Sequence, residues 1–330
     1  MSTTPTTELT APVALESGVQ VAAPIANAES VYRYYEQAKS PNTRRAYAAC
    51  WKAFRAWCAP QGVEALDAGP ELVASYLASM ADAGRKFSTV SVALAGIAYT
   101  LAESGKALDT RHPGLVRVVS GIRRTIGSRP SKKAALMGQD LKGILAKCDD
   151  TLLGKRDRAL LALGWSGAFR RSELVALEVS DIEFTADGIV ATVRRSKTDQ
   201  VGAGLQKAIP YSASAKACAV RAVKAWLEAS GVTSGPLLRS VDRHGSVGSE
   251  RMAGYSVALI VKRHAGEAGL EESTFAGHSL RSGFITTAVK RGKALDAIMR
   301  QSGHKSHDVA MGYVRAASLF DDSAAAVGLL

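Results

Sequence analysis

The stretch SGHKSHDVAMGYV, Ser302 to Val314, sets His304 and His307 three residues apart and Tyr313 nine positions after His304. Three chemistries fit it. Two histidines one helical turn apart can share a metal ion. A tyrosine at that place can be an ordinary core residue of a packed helix end. It can also be a nucleophile whose phenolic oxygen attacks an electrophile. No third metal ligand accompanies the histidines, which leaves His307 reading as a surface residue.

Three other stretches offer cations and proton carriers at turns or helix ends. In GAFRRSELVAL, Arg170 precedes Leu174 by four positions and Leu177 by seven, which puts it on their apolar side of a helix and Arg171 off it. An inward charge needs a partner, and Glu173, one turn on, is the available carboxylate. In RRSKTDQ, Lys197 falls at the tip of a hairpin, where a lysine is ordinarily a solubilising charge. In GHSLRSGF, His278 and Arg281 are three residues apart and share a face if helical.

The elements that must position these groups follow from periodicity. From Glu29 the chain turns helical: Tyr47, Trp51, Phe54 and Cys58 recur on one face, with Asn42 or Thr43 as the expected cap and Arg44, Arg45, Lys52 and Arg55 off the stripe. Three more helical patterns complete an all-helical unit over 29–122. Residues 123–135, with Arg123, Arg124, Arg129, Lys132 and Lys133 around Gly127 and Pro130, read as a basic linker, and 136–330 as a second unit. In that unit helices are expected at GQDLKGILAKCDD, LLGKRDRALLALGWSGAF and RRSELVALEVSDIEF. A strand follows at DGIVATVRR, with Ile189, Ala191 and Val193 alternating, and its return at LQKAIPY. Further helices are expected at SAKACAVRAVKAWLEAS, GYSVALIVKRHAGEAG, SLRSGFITTAVKRG and ALDAIMRQSG. The fold class is therefore mainly α with a small antiparallel β-sheet.

Composition bounds the partners. The 330 residues carry 42 Lys and Arg against 30 Asp and Glu, a formal charge of +12, and such an excess attracts polyanions, nucleic acid before all. An anionic membrane surface is the rival. The longest largely apolar run, Ala159 to Phe169, falls far short of the roughly 20 residues that span a bilayer. The opening residues 1–28 carry Glu8 and Glu16 in place of a basic signal-peptide start and read as a flexible tail of a soluble, cytoplasmic protein. Cys50, Cys58, Cys148 and Cys218 form no CxxC pair and read as reduced thiols.

Taken in order, Arg, a hairpin Lys, His-x-x-Arg, and Gly-His followed by Tyr resemble the tyrosine recombinase (phage integrase) family in its Cre-like and Xer-like branch. SGAF with RRSELVAL resembles the first arginine box, GHSLRSGF the second, and SGHKSHDVAMGYV the nucleophile box. SPNTRRAYAACWKAFRAWC is similar to the family's core-binding domain, and the resemblance extends over nearly the whole chain after the tail. It implies a helical core-binding DNA-binding domain followed by an α+β catalytic domain. It implies Tyr313 as nucleophile, Arg170 and Arg281 on the scissile phosphate, Lys197 and His278 as proton carriers, His304 in support and Glu173 orienting its neighbours. Lys207 on the returning strand is the alternative lysine, because hairpin loops vary in length.

That set suits phosphodiester chemistry. Paired guanidinium hydrogen bonds neutralise the non-bridging oxygens, remain charged at working pH and are preorganised for the transition state, a task that metal ions perform in two-metal nucleases. No cofactor or metal is implied. A neutral tyrosine, with an unperturbed pKa of about 10, needs a cationic field and a proton acceptor. Expulsion of a 5′-hydroxyl needs a general acid, Lys197 first and His278 next. The partner implied is double-stranded DNA with a short inverted-repeat site, bound by a homotetramer near the nucleoid, with Arg44, Arg45, Lys86, Arg123, Arg124, Lys290 and Arg291 as phosphate contacts. The competing readings are a type IB topoisomerase-like enzyme and a non-catalytic DNA-binding regulator retaining the fold.

Overall fold

A computed structural model describes residues 27–128, 133–194 and 204–317. The chain divides into two compact units, 1–131 and 132–330.

The first unit is helical: α1 Ala28–Gln37, α2 Pro41–Cys58, α3 Pro70–Asp82, α4 Phe87–Glu103 and α5 Pro113–Ile126. Three of these begin on proline, whose missing N–H and fixed φ suit a first helical turn. The cap of α2 is Ser40, not Asn42 or Thr43; its hydroxyl accepts the Thr43 N–H at 3.2 Å. Pro41 at the first helical position sets that start. Phe54 and Cys58 of the expected stripe are fully buried, while Tyr47 and Trp51 are half-buried. Phe54 meets Tyr76 of α3 at a centroid distance of 5.1 Å, and Val73, Leu77, Ile97, Leu101 and Leu115 close the core around it.

The second unit packs α6 Gly138–Lys147, α7 Leu152–Ser166, α8 Arg171–Ala176, α9 Ala219–Ser230, α10 Gly254–Glu267, α11 Ser279–Lys290, α12 Leu295–Ser302 and α13 His307–Ala317 with two small sheets. β1 Ile182–Phe184, β2 Gly188–Val193 and β3 Leu205–Pro210 form one antiparallel sheet in that order. Ile189, Ala191 and Val193 face the core, as their alternation predicts. Two features differ from expectation. The helix expected to run through 184 stops at Ala176, where Leu177 turns extended. Asp181 then accepts the Glu178 N–H at 2.9 Å, closing a short turn from which β1 departs. A second antiparallel pair, β4 Arg239–Val241 and β5 Val247–Arg251, occupies what reads as unpatterned sequence.

The core of this unit runs along α7, of which Ala159 to Leu163 are entirely buried. Asp157, also fully buried, ties that helix to α10. It accepts from Arg156 Nε at 2.6 Å and from Arg263, and pairs with His264 Nε2 at 2.9 Å. Burial works against its ionisation, but the bond to His264 and the charges of Arg156 and Arg263 prevail and hold the carboxyl below the usual range.

Residues 133–136 lie against the start of α11: Ala134 N donates to Thr274 O at 2.8 Å and Leu136 N to Ser279 O at 3.0 Å. The approach is so close that a Cβ on Gly283 would stand 1.8 Å from the Leu136 carbonyl oxygen. Gly283→Ala should therefore destabilise the protein by about 1–3 kcal/mol in denaturant unfolding, the usual range for overpacking. Gly143→Ala, in α6 where the added methyl meets nothing within 4 Å, should instead stabilise by up to about 1 kcal/mol.

Candidate active site

The site begins where α7 ends. Ser166 is the last helical residue, and Ala168 takes φ +46°, a left-handed conformation that costs a residue with a Cβ about 1–2 kcal/mol. Ala168 is fully buried, so its carbonyl must be paired. It is paired twice, accepting from Arg281 Nη1 at 2.8 Å and from Lys207 Nζ at 3.4 Å. The turn then delivers Arg170 to the N-cap of α8. The expectation that Arg170 lies within a helix on the face of Leu174 and Leu177 is corrected here: its backbone is extended and helix begins one residue later. The inward pairing with Glu173 follows from the cap. Glu173, 3% exposed, accepts the Arg170 backbone N–H at 2.9 Å through one oxygen and Arg170 Nη1 at 2.5 Å through the other. Arg170 Nη2 reaches the Gly303 carbonyl at 3.4 Å.

α11 supplies the second arginine. His278 is its N-cap and Arg281, 1% exposed, stands in its first turn. Arg281 Nη2 lies 3.1 Å from His304 Nε2. A guanidinium only donates, so this nitrogen of His304 accepts, its proton sits on Nδ1, and that N–H points at Ser302 Oγ at 2.8 Å. Burial, with the charges of Arg281 and Arg170, pushes His304 down to about 4. Gly303, between these two residues, caps α12 at φ +67°, and a Cβ there would stand 2.9 Å from Leu205. The Ser-Gly-His order is thus a fixed corner.

Tyr313 comes from α13, which packs on α11. Its hydroxyl lies 3.2 Å from His278 Nε2, and its ring centroid is 5.8 Å from that of His304. Burial raises the phenol above its usual pKa, against the pull of Arg281 and Arg170. The tyrosine is therefore protonated at neutral pH and needs a base. His278, open to solvent on one side, is held below the ordinary imidazole range by burial of its other side and by Arg281 and Arg170. At neutral pH both groups are therefore mainly uncharged, which makes His278 a proton acceptor at hydrogen-bond range.

Arg170, Glu173, His278, Arg281, His304 and Tyr313 thus come from three separated stretches into one cluster. Lys197 lies outside the described residues. Lys207 is in the cluster, 0% exposed on β3. Of the phosphate-contact candidates on the second unit, Lys290 and Arg291 stand apart from the cluster. Arg45, Lys86, Arg123, Arg124, Lys290 and Arg291 are exposed, and Arg44 is bound to Glu36 at 2.9 Å. Lys290 and Arg291 end α11, nine and ten residues beyond Arg281, about 14 Å along the axis. His307 is exposed at the start of α13, and among the described residues no group of three or more His, Cys, Asp and Glu side chains is placed to hold a metal ion.

Three contributors escape a sequence reading, beginning with Ser302, which orients His304, and Ala168, whose positive φ nothing in its residue type signals. Gln301 is a third. Its Nε2 donates at 3.0 Å to both Ser166 O and Ala208 O, joining α12, the end of α7 and β3.

A model of the phage integrase family matches residues 135–319. The integrase/recombinase XerD homolog of Selenomonas ruminantium is 40% identical over 298 residues, 88% of this chain and 86% of that protein. Among solved structures, the chain is similar to the XerH site-specific recombinase bound to palindromic difH substrate in a post-cleavage complex (TM-score 0.58, 17% identity, 79% of this chain and 72% of that one). It is also similar to a lambda integrase dimer bound to a COC′ core site (TM-score 0.57, 18% identity, 87% and 94%). At those identities the structural likeness establishes the fold.

The depressed His304 has a thermodynamic consequence. Below its unfolded value of 6.5 the unfolded chain takes up a proton that the folded protein refuses until about pH 4. Unfolding free energy should thus decline as pH falls from 6.5 towards 4, and His304→Asn should remove that part of the slope, as measured by urea unfolding at half-unit pH steps.

Proposed function

The chain belongs to the phage integrase family, and we infer from that membership and from the cluster around Tyr313 that it is a site-specific DNA recombinase acting through this tyrosine. The observation that most supports the role is the Tyr313 hydroxyl at 3.2 Å from His278 Nε2, within the field of Arg281 and Arg170. The phenolic oxygen attacks the phosphorus of a backbone phosphodiester while His278 takes its proton. The bond from phosphorus to the 5′ oxygen breaks, and the leaving oxygen departs as a free 5′-hydroxyl after protonation by Lys197. The 3′-phosphotyrosine ester conserves the energy of the broken bond, so a 5′-hydroxyl of another strand reverses the step without ATP.

Arg170 and Arg281 hold the non-bridging oxygens, where charge develops in the transition state. Burial lowers Arg281 to about 10, which still leaves it charged at neutral pH. Glu173 orients Arg170 through its two contacts, and His304 holds Arg281 from the other side. The substrate is duplex DNA, contacted along its phosphates by Arg44, Arg45, Lys86, Arg123, Arg124, Lys290 and Arg291. By analogy with the palindromic substrate of the XerH complex, the target is a short inverted repeat. Exchange of both strands of two duplexes takes four such sites, hence a homotetramer on DNA. Among the described residues no helix is long and apolar enough to cross a membrane, in keeping with a cytoplasmic enzyme at the nucleoid.

The test is a nicked suicide substrate that traps the covalent adduct. Wild-type protein should form it and Tyr313→Phe should not. Arg170→Ala or Arg281→Ala should slow its formation on the order of 10²-fold or more with DNA affinity nearly intact. Absence of any adduct would identify a DNA-binding regulator, and relaxation of a two-site plasmid without recombinant products a topoisomerase.

A further inference from the structure

Residues 205, 207 and 209 of β3 point inward, and Leu205 and Ile209 are what an inward strand face calls for. Lys207 between them is 0% exposed. A buried ammonium carries several kcal/mol of desolvation that an apolar side chain at the same position would avoid, so the charge has to be accounted for by what it binds. Nζ donates to Gly167 O at 2.8 Å and to Ala168 O at 3.4 Å, lies 3.8 Å from Glu173 Oε2, and sits 4.6 Å from the centroid of the Phe169 ring. Each of these partners belongs to 167–173, the turn that carries Arg170. Two of them lead on to an arginine: Ala168 O also receives Arg281, and Glu173 also receives Arg170.

Resting on the recombinase reading above, we propose that Lys207 is a positioning residue for DNA cleavage, acting through Glu173 and the Gly167–Ala168 carbonyls to hold both arginines in register for one phosphate. The left-handed Ala168 turn is a strained element, and two cations on its carbonyls plus the Gln301 bridge between Ser166 O and Ala208 O are what pin it. Without the ammonium, Glu173 would face Arg170 alone and the Gly167 carbonyl would lose its partner beneath the site. Among the described residues, the groups facing Lys207 are Glu173 and Arg170 from α8 and its cap, Arg281 from α11, and His304 beyond α12. Burial, opposed by Glu173 and reinforced by Arg281 and Arg170, brings Lys207 down to about 7. Its charge is consequently lost as pH rises through neutrality, while an arginine at the same position would keep its own.

The experiment is single-turnover adduct formation on the suicide substrate, with DNA affinity measured in parallel, for wild type, Lys207→Met, Lys207→Arg, Glu173→Gln and the Lys207→Met/Glu173→Gln pair. Lys207→Met should slow cleavage on the order of 10- to 100-fold while affinity changes less than about threefold, as for loss of a group that orders the transition-state donors. Lys207→Arg should recover part of the rate, and Glu173→Gln should cost little more in the Lys207→Met background than the Met substitution alone. Across pH 6 to 9 the wild-type rate should carry an alkaline fall that Lys207→Arg lacks, a comparison that stands even where Lys207→Met does not fold. Wild-type cleavage by Lys207→Met, equal loss of rate and affinity, or identical pH profiles for wild type and Lys207→Arg would each overturn the proposal. A wild-type protein that forms no Tyr313 adduct would overturn the recombinase reading and this one with it.

Discussion

Among the described residues, two guanidinium groups and an ammonium share one small region with a single carboxylate, and the architecture of the second unit is organised around that imbalance. Glu173 is almost fully buried and meets Arg170 at 2.5 Å and Lys207 at 3.8 Å. The remaining positive charge is met by dipoles: the carbonyls of Gly167, Ala168 and Gly303 and the acceptor nitrogen of His304. Carbonyls are a compromise of a useful kind. They stabilise a cation less than a second carboxylate would, and so leave the guanidinium groups with unspent attraction for an anion.

This arrangement explains why the site is distributed over so many elements. A strained turn after α7, an inward lysine on β3, the first turn of α11 and the corner after α12 each contribute one or two polar atoms. Neither arginine takes both of its polar partners from one segment: Arg170 meets Glu173 and the Gly303 carbonyl, Arg281 the Ala168 carbonyl and His304. The apolar core along α7 and the Asp157 tie between α7 and α10 supply the rigidity, and the polar atoms ride on it.

How much of this was legible in the sequence depended on whether a residue's role is written in its type. Arg170, His278, Arg281, His304 and Tyr313 stand out because charged and proton-carrying side chains beside apolar runs are conspicuous, and the structure brings them together. β2 was legible from alternation. Arg170 on a helical face was misplaced because four- and seven-residue spacing to Leu174 and Leu177 also occurs across a cap, where backbone geometry differs. β1 and the β4–β5 pair were missed because three- to five-residue strands carry too few positions for a period to register. Ala168 gave no signal at all, since its conformation is imposed by tertiary bonds to its carbonyl. Lys207 did give one, a charge in phase with Leu205 and Ile209, which only the burial of that face makes decisive.

The contact between the Tyr313 hydroxyl and His278, with the phenol held above its ordinary pKa, amounts to a safety catch. An idle molecule carries the Tyr313 oxygen capped by a proton, with an imidazole nitrogen at hydrogen-bond range. In the role proposed for this tyrosine, reactivity would be released by the anion that settles on the arginines, rather than stored in a standing phenolate exposed to stray electrophiles.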